Sequence, residues 1–208
     1  MDLEVASARV AAALKEGAEL RMKISRENGQ IIVKAAVLIA RCLQSGNKLL
    51  LFGNGGSAAD AQHLAAEFVG RFVRERAGLP AIALTTDSSI LTAVGNDYGF
   101  EQVFARQIQA LGRPGDVAVA ISTSGNSANV LEGVKEARKR KLETIGLTGK
   151  DGGALAQRAD VAITIPSTST ARIQECHIAI GHLFCELVDA DFGGNLADSR
   201  ETHFPRMP

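Results

Sequence analysis

The stretch KLLLFGNGGSAADAQHLAAE, residues 48–67, decides the fold of this chain. It opens with a short apolar run, which is typical of a buried strand. A glycine-rich turn, 53–56, and Ser57 follow, and a helical pattern then carries His63 and Glu67. Glycines let a backbone approach a ligand closely, and the start of a helix, which Ser57 can cap, suits an anion such as phosphate. The stretch therefore indicates a phosphate cradle followed by an acid/base pair.

The same stretch also has a purely structural explanation. A glycine-rich turn is an ordinary connection between a strand and a helix, and this one matches neither a Walker loop nor G-x-G-x-x-G. His63 and Glu67 are four residues apart, so they share a helix face and could form an ordinary solvent-exposed pair. A second loop of the same kind, further along the chain, is what favours the functional interpretation.

Composition excludes several classes of protein. The 208 residues predict one domain, and 23 basic against 23 acidic residues provide no positive field for nucleic acid. No apolar run approaches the length of a membrane span, and the first residues lack the features of a signal peptide, so we expect a cytoplasmic protein. Cys42, Cys176 and Cys185 lie in apolar helical contexts and are predicted to be reduced core residues.

Short apolar strands alternate with helical segments, which predicts an α/β fold. The strands are expected at 48–52, 81–84, 117–121, 143–147 and 161–165. This pattern is typical of a three-layer, doubly wound, flavodoxin- or Rossmann-like sheet of five parallel strands, whose ligands bind beyond the carboxyl ends of the strands.

The remaining segments divide the chain into three parts. Residues 1–46 form a helical pair for packing or oligomerisation, which lies either on its own sheet or against a partner subunit. Residues 47–192 form the sheet domain, and residues 193–208 a poorly ordered tail or a subunit arm. Within the domain we predict a polar loop at 85–89 and a break in the helical pattern at 95–99.

The second phosphate-type loop is Ser122-Thr123-Ser124-Gly125-Asn126-Ser127. It leaves a predicted strand and enters a predicted helix, and its four hydroxyls and turn amides suit phosphate oxygens without a lysine. A hydrophilic turn that caps the helix is the alternative, but four hydroxyls exceed what a cap requires.

The last helix, predicted over about 171–190, carries two histidines. His177 falls within its apolar stripe and is predicted to be a core residue. His182 lies on the opposite side with Gln174 on its flank, where it is either a plain surface residue or faces a site.

Five motifs in order, GNGGSAADAQHLAAE, VGNDYGF, ISTSGNSANV, LTGKDGG and RIQECHIAIGH, resemble the phosphoheptose isomerase family of sugar isomerase (SIS) domain enzymes. The likeness covers roughly residues 30–190. It implies an SIS fold for 47–192 and an aldose-ketose isomerase that converts D-sedoheptulose 7-phosphate to D-glycero-D-manno-heptose 7-phosphate. That reaction is the first step of nucleotide-activated heptose biosynthesis, and lipopolysaccharide, capsule, S-layer or secondary metabolite pathways all stay open. The resemblance also implies a homotetramer in which the active sites are shared between subunits.

The resemblance assigns roles residue by residue. Glu67 and His182 are the implied catalytic acid/base pair. The implied substrate-binding residues are Asn54, Gly55, Gly56, Ser57, Glu67, Asn96, Asp97, Ser122, Thr123, Ser124, Ser127 and Gln174. The implied zinc ligands are His63, Glu67, Gln174 and His182. Moving a carbonyl between neighbouring carbons requires a carbon base and a partner for the hydroxyl protons, with an enediol(ate) between them. Glu67 and His182 suit these tasks, and zinc would polarise the carbonyl or stabilise the structure.

Two rival functions stay open. The segment Leu-Pro-Ala-Ile-Ala-Leu-Thr-Thr-Asp at 79–87 is closer to SIS scaffolds resembling the replication-initiator-associating protein, which bind as tetramers without catalysis. Glu67, His182 and the complete hydroxyl loop favour the enzyme instead, since a scaffold has no chemical need for all three. An isomerase of another phosphosugar would have nearly the same loops.

Overall fold

The computed structural model describes residues 1–192 of the chain, so the predicted tail at 193–208 lies outside the described residues. Its strands are β1 Leu49–Gly53, β2 Ala81–Ala83, β3 Val117–Ser122, β4 Glu143–Gly149 and β5 Val161–Ile165. Its helices are α1 Leu3–Glu27, α2 Gly29–Gln44, α3 Gly56–Val69, α4 Ser88–Tyr98, α5 Val103–Leu111, α6 Ala128–Lys139, α7 Gly153–Arg158 and α8 Thr170–Phe192, with a 3₁₀ turn at Phe100–Gln102.

All five strands are parallel, in the order β2-β1-β3-β4-β5, which confirms the predicted doubly wound sheet. The order reverses between β1 and β3, where Gly53 is paired with Ile121. In sheets of this kind the carboxyl ends of the strands on either side of the reversal border a ligand crevice. Both predicted phosphate loops begin at this point.

Alternate residues of β1 face two separate apolar cores, because successive side chains of a strand point to opposite faces. Leu49 and Leu51 pack with α2, α3 and α8, and α1 reaches the same layer through Leu20 and Ile24. Leu50 and Phe52 pack with α5, α6 and α7. The sheet is therefore the middle of three layers.

The two N-terminal helices differ in how much of their surface packs on the chain's own sheet. α2 buries a continuous face against the chain's own sheet and α8. α1 buries only Gly17, Leu20 and Ile24, all in its second half. Its first half leaves Leu3, Val10 and Leu14 at least 60% exposed, so these apolar side chains are uncovered in a single copy of the chain.

The prediction of a polar loop at 85–89 and a helix break at 95–99 is wrong in detail. One helix, α4, runs without interruption from Ser88 to Tyr98. Asp87 caps it by accepting a hydrogen bond from the amide of Ile90 at 2.9 Å. The helix ends only at Gly99, whose φ of 92° lies in the left-handed region that favours glycine. An isolated glycine such as Gly95 costs a helix only about 1 kcal/mol, which its surroundings can override.

The predicted core residues are confirmed. Cys42, Cys176 and Cys185 are free and buried. His177 is fully buried, and its Nε2 lies 3.0 Å from the carbonyl oxygen of Thr148 at the end of β4. Among residues 1–192 no helix combines the length and apolar character that a membrane span requires.

Burial lowers the pKa of His177 from 6.5 to about 4, and the hydrogen bond to Thr148 opposes this only in part. Between pH 6.5 and about 4, His177 is protonated in the unfolded chain but neutral in the folded one. The free energy of unfolding therefore decreases as the pH falls through this range. This difference corresponds to at most about 3 kcal/mol.

We therefore expect the free energy of unfolding to fall less steeply between pH 7 and pH 4.5 in His177→Gln than in the unchanged protein. Glutamine retains a donor for the Thr148 carbonyl but does not titrate. Urea unfolding at a series of pH values measures both slopes. Equal slopes would show that His177 is not the titrating group.

Candidate active site

The turn between β1 and α3 is shaped for close backbone approach. A Cβ at Gly53 would lie 2.7 Å from the carbonyl oxygen of Ile121, and Gly55 has a φ of 56°. Gly55 occupies the N-cap position of α3, and Ser57 is buried in the first turn, so Ser57 does not cap the helix as the sequence suggested. The turn lies over the reversal point of the sheet, where an anion would meet the amino end of α3.

Asn54 joins this turn to the second loop. Its side chain exchanges two hydrogen bonds with the side chain of Asn129 in α6, at 2.8 and 2.9 Å. Asn129 is buried, and sequence reasoning missed it because nothing near it in the chain marks a polar residue of a helix for such a role. The pair fixes the distance between the turn after β1 and the loop after β3.

The loop after β3 keeps its hydroxyls together. The Oγ of Ser122 lies 3.0 Å from that of Ser127 and 3.4 Å from that of Ser124. Ser127 occupies the N-cap position of α6 but makes no capping hydrogen bond with its side chain. The arrangement therefore differs from the simple capping turn. The three serine hydroxyls lie together before the amino end of α6, as a phosphate requires, and Thr123 in the same loop is half-buried.

The turn after β4 supports this loop from behind. The Thr148 hydroxyl donates to the carbonyl of Gly152 at 3.0 Å, and the amide of Ala154 donates to the Asn126 side chain at 3.0 Å. Gly125 has a φ of 67°, and a Cβ there would overlap with the Gly152 carbonyl. The LTGKDGG motif, residues 147–153, thus stabilises the loop after β3.

Helices α3 and α8 bring His63, Glu67 and His182 together, whereas Gln174 lies eight residues before His182, about 12 Å away along α8. The Nε2 atoms of His63 and His182 are 2.9 Å apart, and a carboxylate oxygen of Glu67 lies 3.4 Å from the His63 Nε2. The Gln174 amide packs on Gly56, where a Cβ would overlap with it. His182 is therefore not a plain surface residue, because it faces α3.

A close contact between the Leu64 side chain and Gly181 makes this meeting possible. A Cβ at Gly181 would lie 2.5 Å from the methyl carbons of Leu64, which is itself buried. Leu64 follows His63 in α3 and Gly181 precedes His182 in α8. The missing side chain at Gly181 thus lets the two helices approach until the histidines touch.

Two further residues border the cluster, and the sequence analysis missed both. Phe72 stacks on the His182 ring with 5.4 Å between centroids and 23° between planes. Asp60 lies on the same face of α3 as His63 and Glu67, a periodicity that could have revealed it. One of its carboxyl oxygens is buried without a hydrogen-bond partner. Burial raises the pKa of Asp60 to about 6, against the opposing effect of His63.

Asn96 and Asp97 stand apart from this cluster. Both are exposed in the last turn of α4, where the Asn96 amide donates to the Asp97 carboxylate at 2.8 Å. Within residues 1–192, no side-chain hydrogen bond connects either of them to another predicted site residue.

The donor set fits zinc in kind, since imidazole and carboxylate are its common ligands. The two Nε2 atoms are separated by 2.9 Å, near the roughly 3.3 Å between two nitrogens on one tetrahedral zinc. Across the described part of the chain, however, no three His, Cys, Asp or Glu side chains are already gathered as a metal ion requires. Glu67 lies near His63, so a small side-chain movement would bring the third ligand in.

Comparisons with known proteins agree on one family. The sequence profile described as "SIS domain" matches residues 14–149. The phosphoheptose isomerase of Aquifex aeolicus is 59% identical over 175 residues, which cover 84% of this chain and 92% of that protein.

Two solved phosphoheptose isomerases have the same fold. The structure from Neisseria gonorrhoeae is 49% identical, with a TM-score of 0.84, and the match covers 88% of this chain and 98% of that one. The structure from Francisella tularensis is 38% identical, with a TM-score of 0.86, and the match covers 89% of this chain and 98% of that one.

The contact at Gly181 yields a test. We expect Gly181→Ala to lower the free energy of unfolding by about 1–3 kcal/mol, because the added methyl group overpacks against Leu64. Gly29→Ala is the matched control, since a Cβ at that helical glycine meets nothing within 4 Å and should be neutral or slightly stabilising. Urea unfolding measures both, and equal midpoints would contradict the proposed contact.

Proposed function

This chain belongs to the phosphoheptose isomerases of the SIS domain family, and we propose that it converts D-sedoheptulose 7-phosphate to D-glycero-D-manno-heptose 7-phosphate. It is an isomerase. The substrate and product are those that the family relationship implies. One observation carries the proposal: the chain combines a hydroxyl-rich loop that suits phosphate, at the carboxyl ends of the strands, with a histidine–carboxylate cluster between α3 and α8.

The distribution of groups supports an aldose-ketose isomerisation. The hydroxyls of Ser122, Ser124 and Ser127, with Thr123, would hold the phosphate at the far end of the sugar. Asn54 and the glycines of the first turn would border the chain of the sugar. This leaves the carbonyl end beside Glu67 and His182, which come from two different helices and can therefore act on two neighbouring atoms.

The proposed mechanism uses these two residues for different protons. The Glu67 carboxylate removes the proton from the carbon next to the carbonyl and returns it to the neighbouring carbon. His182 donates to the carbonyl oxygen and accepts the proton of the adjacent hydroxyl, so an enediol(ate) forms and collapses in the other direction. Phe72 stacked on His182 limits the directions in which the ring can point.

We propose zinc as the cofactor, held by His63, Glu67, Gln174 and His182. When bound there, zinc would supply a Lewis acid for the carbonyl oxygen. The neutral Gln174 amide is an uncommon ligand, and it packs on Gly56, about 12 Å along α8 from His182, so it does not complete the same site within one chain. Because Glu67 is named both as base and as ligand, its carboxylate has to be shared between the two tasks.

We propose a homotetramer with sites completed by neighbouring copies. Two observations support this: the exposed apolar residues Leu3, Val10 and Leu14 of α1, and the position of Asn96 and Asp97 away from the cluster. In the proposed assembly a second copy covers the exposed apolar residues of α1. Asn96 and Asp97 of one copy then lie at the site of another. A monomer mass in light scattering would contradict this assembly.

We place the reaction in the cytoplasm, at the first step of nucleotide-activated heptose biosynthesis. Three free, buried thiols among residues 1–192 support a reducing compartment. Activity in a cytosolic fraction tests the location, and accumulation of sedoheptulose 7-phosphate in cells lacking the enzyme tests the step.

The first experiment is turnover of sedoheptulose 7-phosphate, with the aldose phosphate detected by NMR. We expect Glu67→Gln to lower kcat by about 10²–10⁴-fold, the usual contribution of a general base, while phosphosugar binding persists. Glu132→Gln, which removes a carboxylate from a surface ion pair with Lys135, is the control and should retain full activity.

The outcomes separate the rival functions. Phosphosugar binding without any turnover would favour the non-catalytic scaffold. Turnover of a hexose phosphate in preference to the heptose would favour an isomerase of another substrate. Unchanged kcat in Glu67→Gln would remove Glu67 from the mechanism.

The metal assignment predicts that His63→Ala lowers the zinc content per chain, because it removes one of two imidazoles that face each other. Elemental analysis after dialysis against zinc measures the stoichiometry. His177→Gln, which changes a buried histidine that contacts β4, is the control. An unchanged zinc content in His63→Ala would refute the site.

A further inference from the structure

We propose that Arg76 and Asp189 are positioning residues of the isomerase, which together hold Glu67 and His182 in their working geometry. The proposal rests on the proposed roles of these two residues. It concerns a segment, residues 70–80 between α3 and β2, that has no regular secondary structure and no motif. No sequence pattern singled out either residue.

Arg76 and Asp189 form a buried ion pair. Nε of Arg76 donates to the Asp189 carboxylate at 2.6 Å, and their side chains are 3% and 2% exposed. Burial opposes ionisation of Asp189, but the Arg76 guanidinium and two backbone amides hold its pKa below the ordinary value. A charge pair removed so fully from water persists only when its remaining donors and acceptors are satisfied.

Arg76 satisfies the rest of its guanidinium at the end of α3. It donates to the carbonyl oxygens of Glu67 at 3.1 Å and of Phe68 at 2.8 Å, with a longer bond of 3.3 Å to Gly70. The last carbonyls of a helix have no partner within the helix, and a cation is favourable there. Arg76 therefore fixes the backbone of the catalytic carboxylate itself.

Asp189 satisfies its second oxygen in the same segment. That oxygen accepts hydrogen bonds from the amides of Val73 at 3.0 Å and Arg74 at 3.2 Å. These amides directly follow Phe72, whose ring stacks on His182. Asp189 lies two turns after His182 in α8, on the same side of the helix. One carboxylate of α8 thus anchors the loop that orients the histidine of α8.

The two halves of this network meet at the ion pair. Arg76 holds the end of α3 that carries Glu67, and Asp189 holds the loop whose Phe72 covers His182. Loss of the pair would release both residues at once while leaving the phosphate loop after β3 untouched. The expected signature is therefore a loss of kcat with little change in KM.

A second buried ion pair provides the matched control. Nζ of Lys48 lies 2.6 Å from the Asp116 carboxylate, with side chains 20% and 1% exposed. Asp116 also accepts hydrogen bonds from two backbone amides, those of Lys48 and Arg113. This pair precedes β1 and β3, and its side chains form no hydrogen bond with α3, α8 or residues 70–80 in the described part of the chain. Asp116→Asn therefore makes the same chemical change in a buried ion pair that does not contact the end of α3 or the loop that carries Phe72.

The experiment compares Asp189→Asn with Asp116→Asn. We expect Asp189→Asn to lower kcat about 10–100-fold, the usual effect of losing a residue that orients a ligand or catalytic group, with KM within about three-fold. Asp116→Asn should lower stability and leave kcat unchanged. Equal losses of kcat in both variants, or an unchanged kcat in Asp189→Asn, would overturn the proposal.

A spectroscopic readout separates this inference from the proposed function. The chain has four histidines, so selective labelling gives a simple NMR spectrum. The Phe72 ring should shift the signals of the His182 ring, and Asp189→Asn should move them towards the values seen in Phe72→Leu, even if sedoheptulose 7-phosphate is not turned over. Unmoved His182 signals in Asp189→Asn would overturn the proposal. If Asp189→Asn does not fold, Phe72→Leu alone must lower kcat, and an unchanged kcat there would overturn it as well.

Discussion

The contact between Gly181 of α8 and Leu64 of α3 is the constraint on which the site depends. Two helices packed on one face of a parallel sheet normally stand far enough apart for side chains to fill the space between them. Here the absence of one side chain lets the two helices pack closely, and the histidines beside the contact meet at 2.9 Å. The geometry of the proposed catalytic groups is thus set by packing in the apolar layer beneath them.

The remainder of the site follows from the order of the strands. The reversal between β1 and β3 places a glycine-rich turn and a hydroxyl-rich loop side by side, and the reciprocal Asn54–Asn129 hydrogen bonds hold them in register. Each loop relies on glycine where a backbone approaches another closely, as at Gly53 and Gly125. The groups proposed for phosphate recognition and for proton transfer therefore occupy separate parts of the protein.

The sequence predicts the parts of this design that have a period or a local composition. The alternation of strands and helices, the two loops and the His63–Glu67 pair all have such a signal. The alternation and the buried His177 are confirmed, and the phosphate-binding role of the loops stays a prediction. Contacts between distant segments have no such signal. The sequence does not distinguish a surface His182 from one that faces a site, because the contact with α3 spans 119 residues, and no pattern marks Arg76 or Asp189. The break predicted at 95–99 was wrong because composition alone marked a loop, whereas a single cap at Asp87 and one left-handed glycine define a helix.

The position of α8 at the end of the described chain has a consequence for biosynthesis. His63 and His182 are separated by 119 residues, and every group that α8 contributes leaves the ribosome after the whole sheet has done so. Contacts this far apart in sequence also carry a large loop-closure cost, so they form late in folding. The loops proposed to bind phosphate are therefore synthesised before the helix that carries His182. The proposed acid/base pair is complete only when α8 docks on α3.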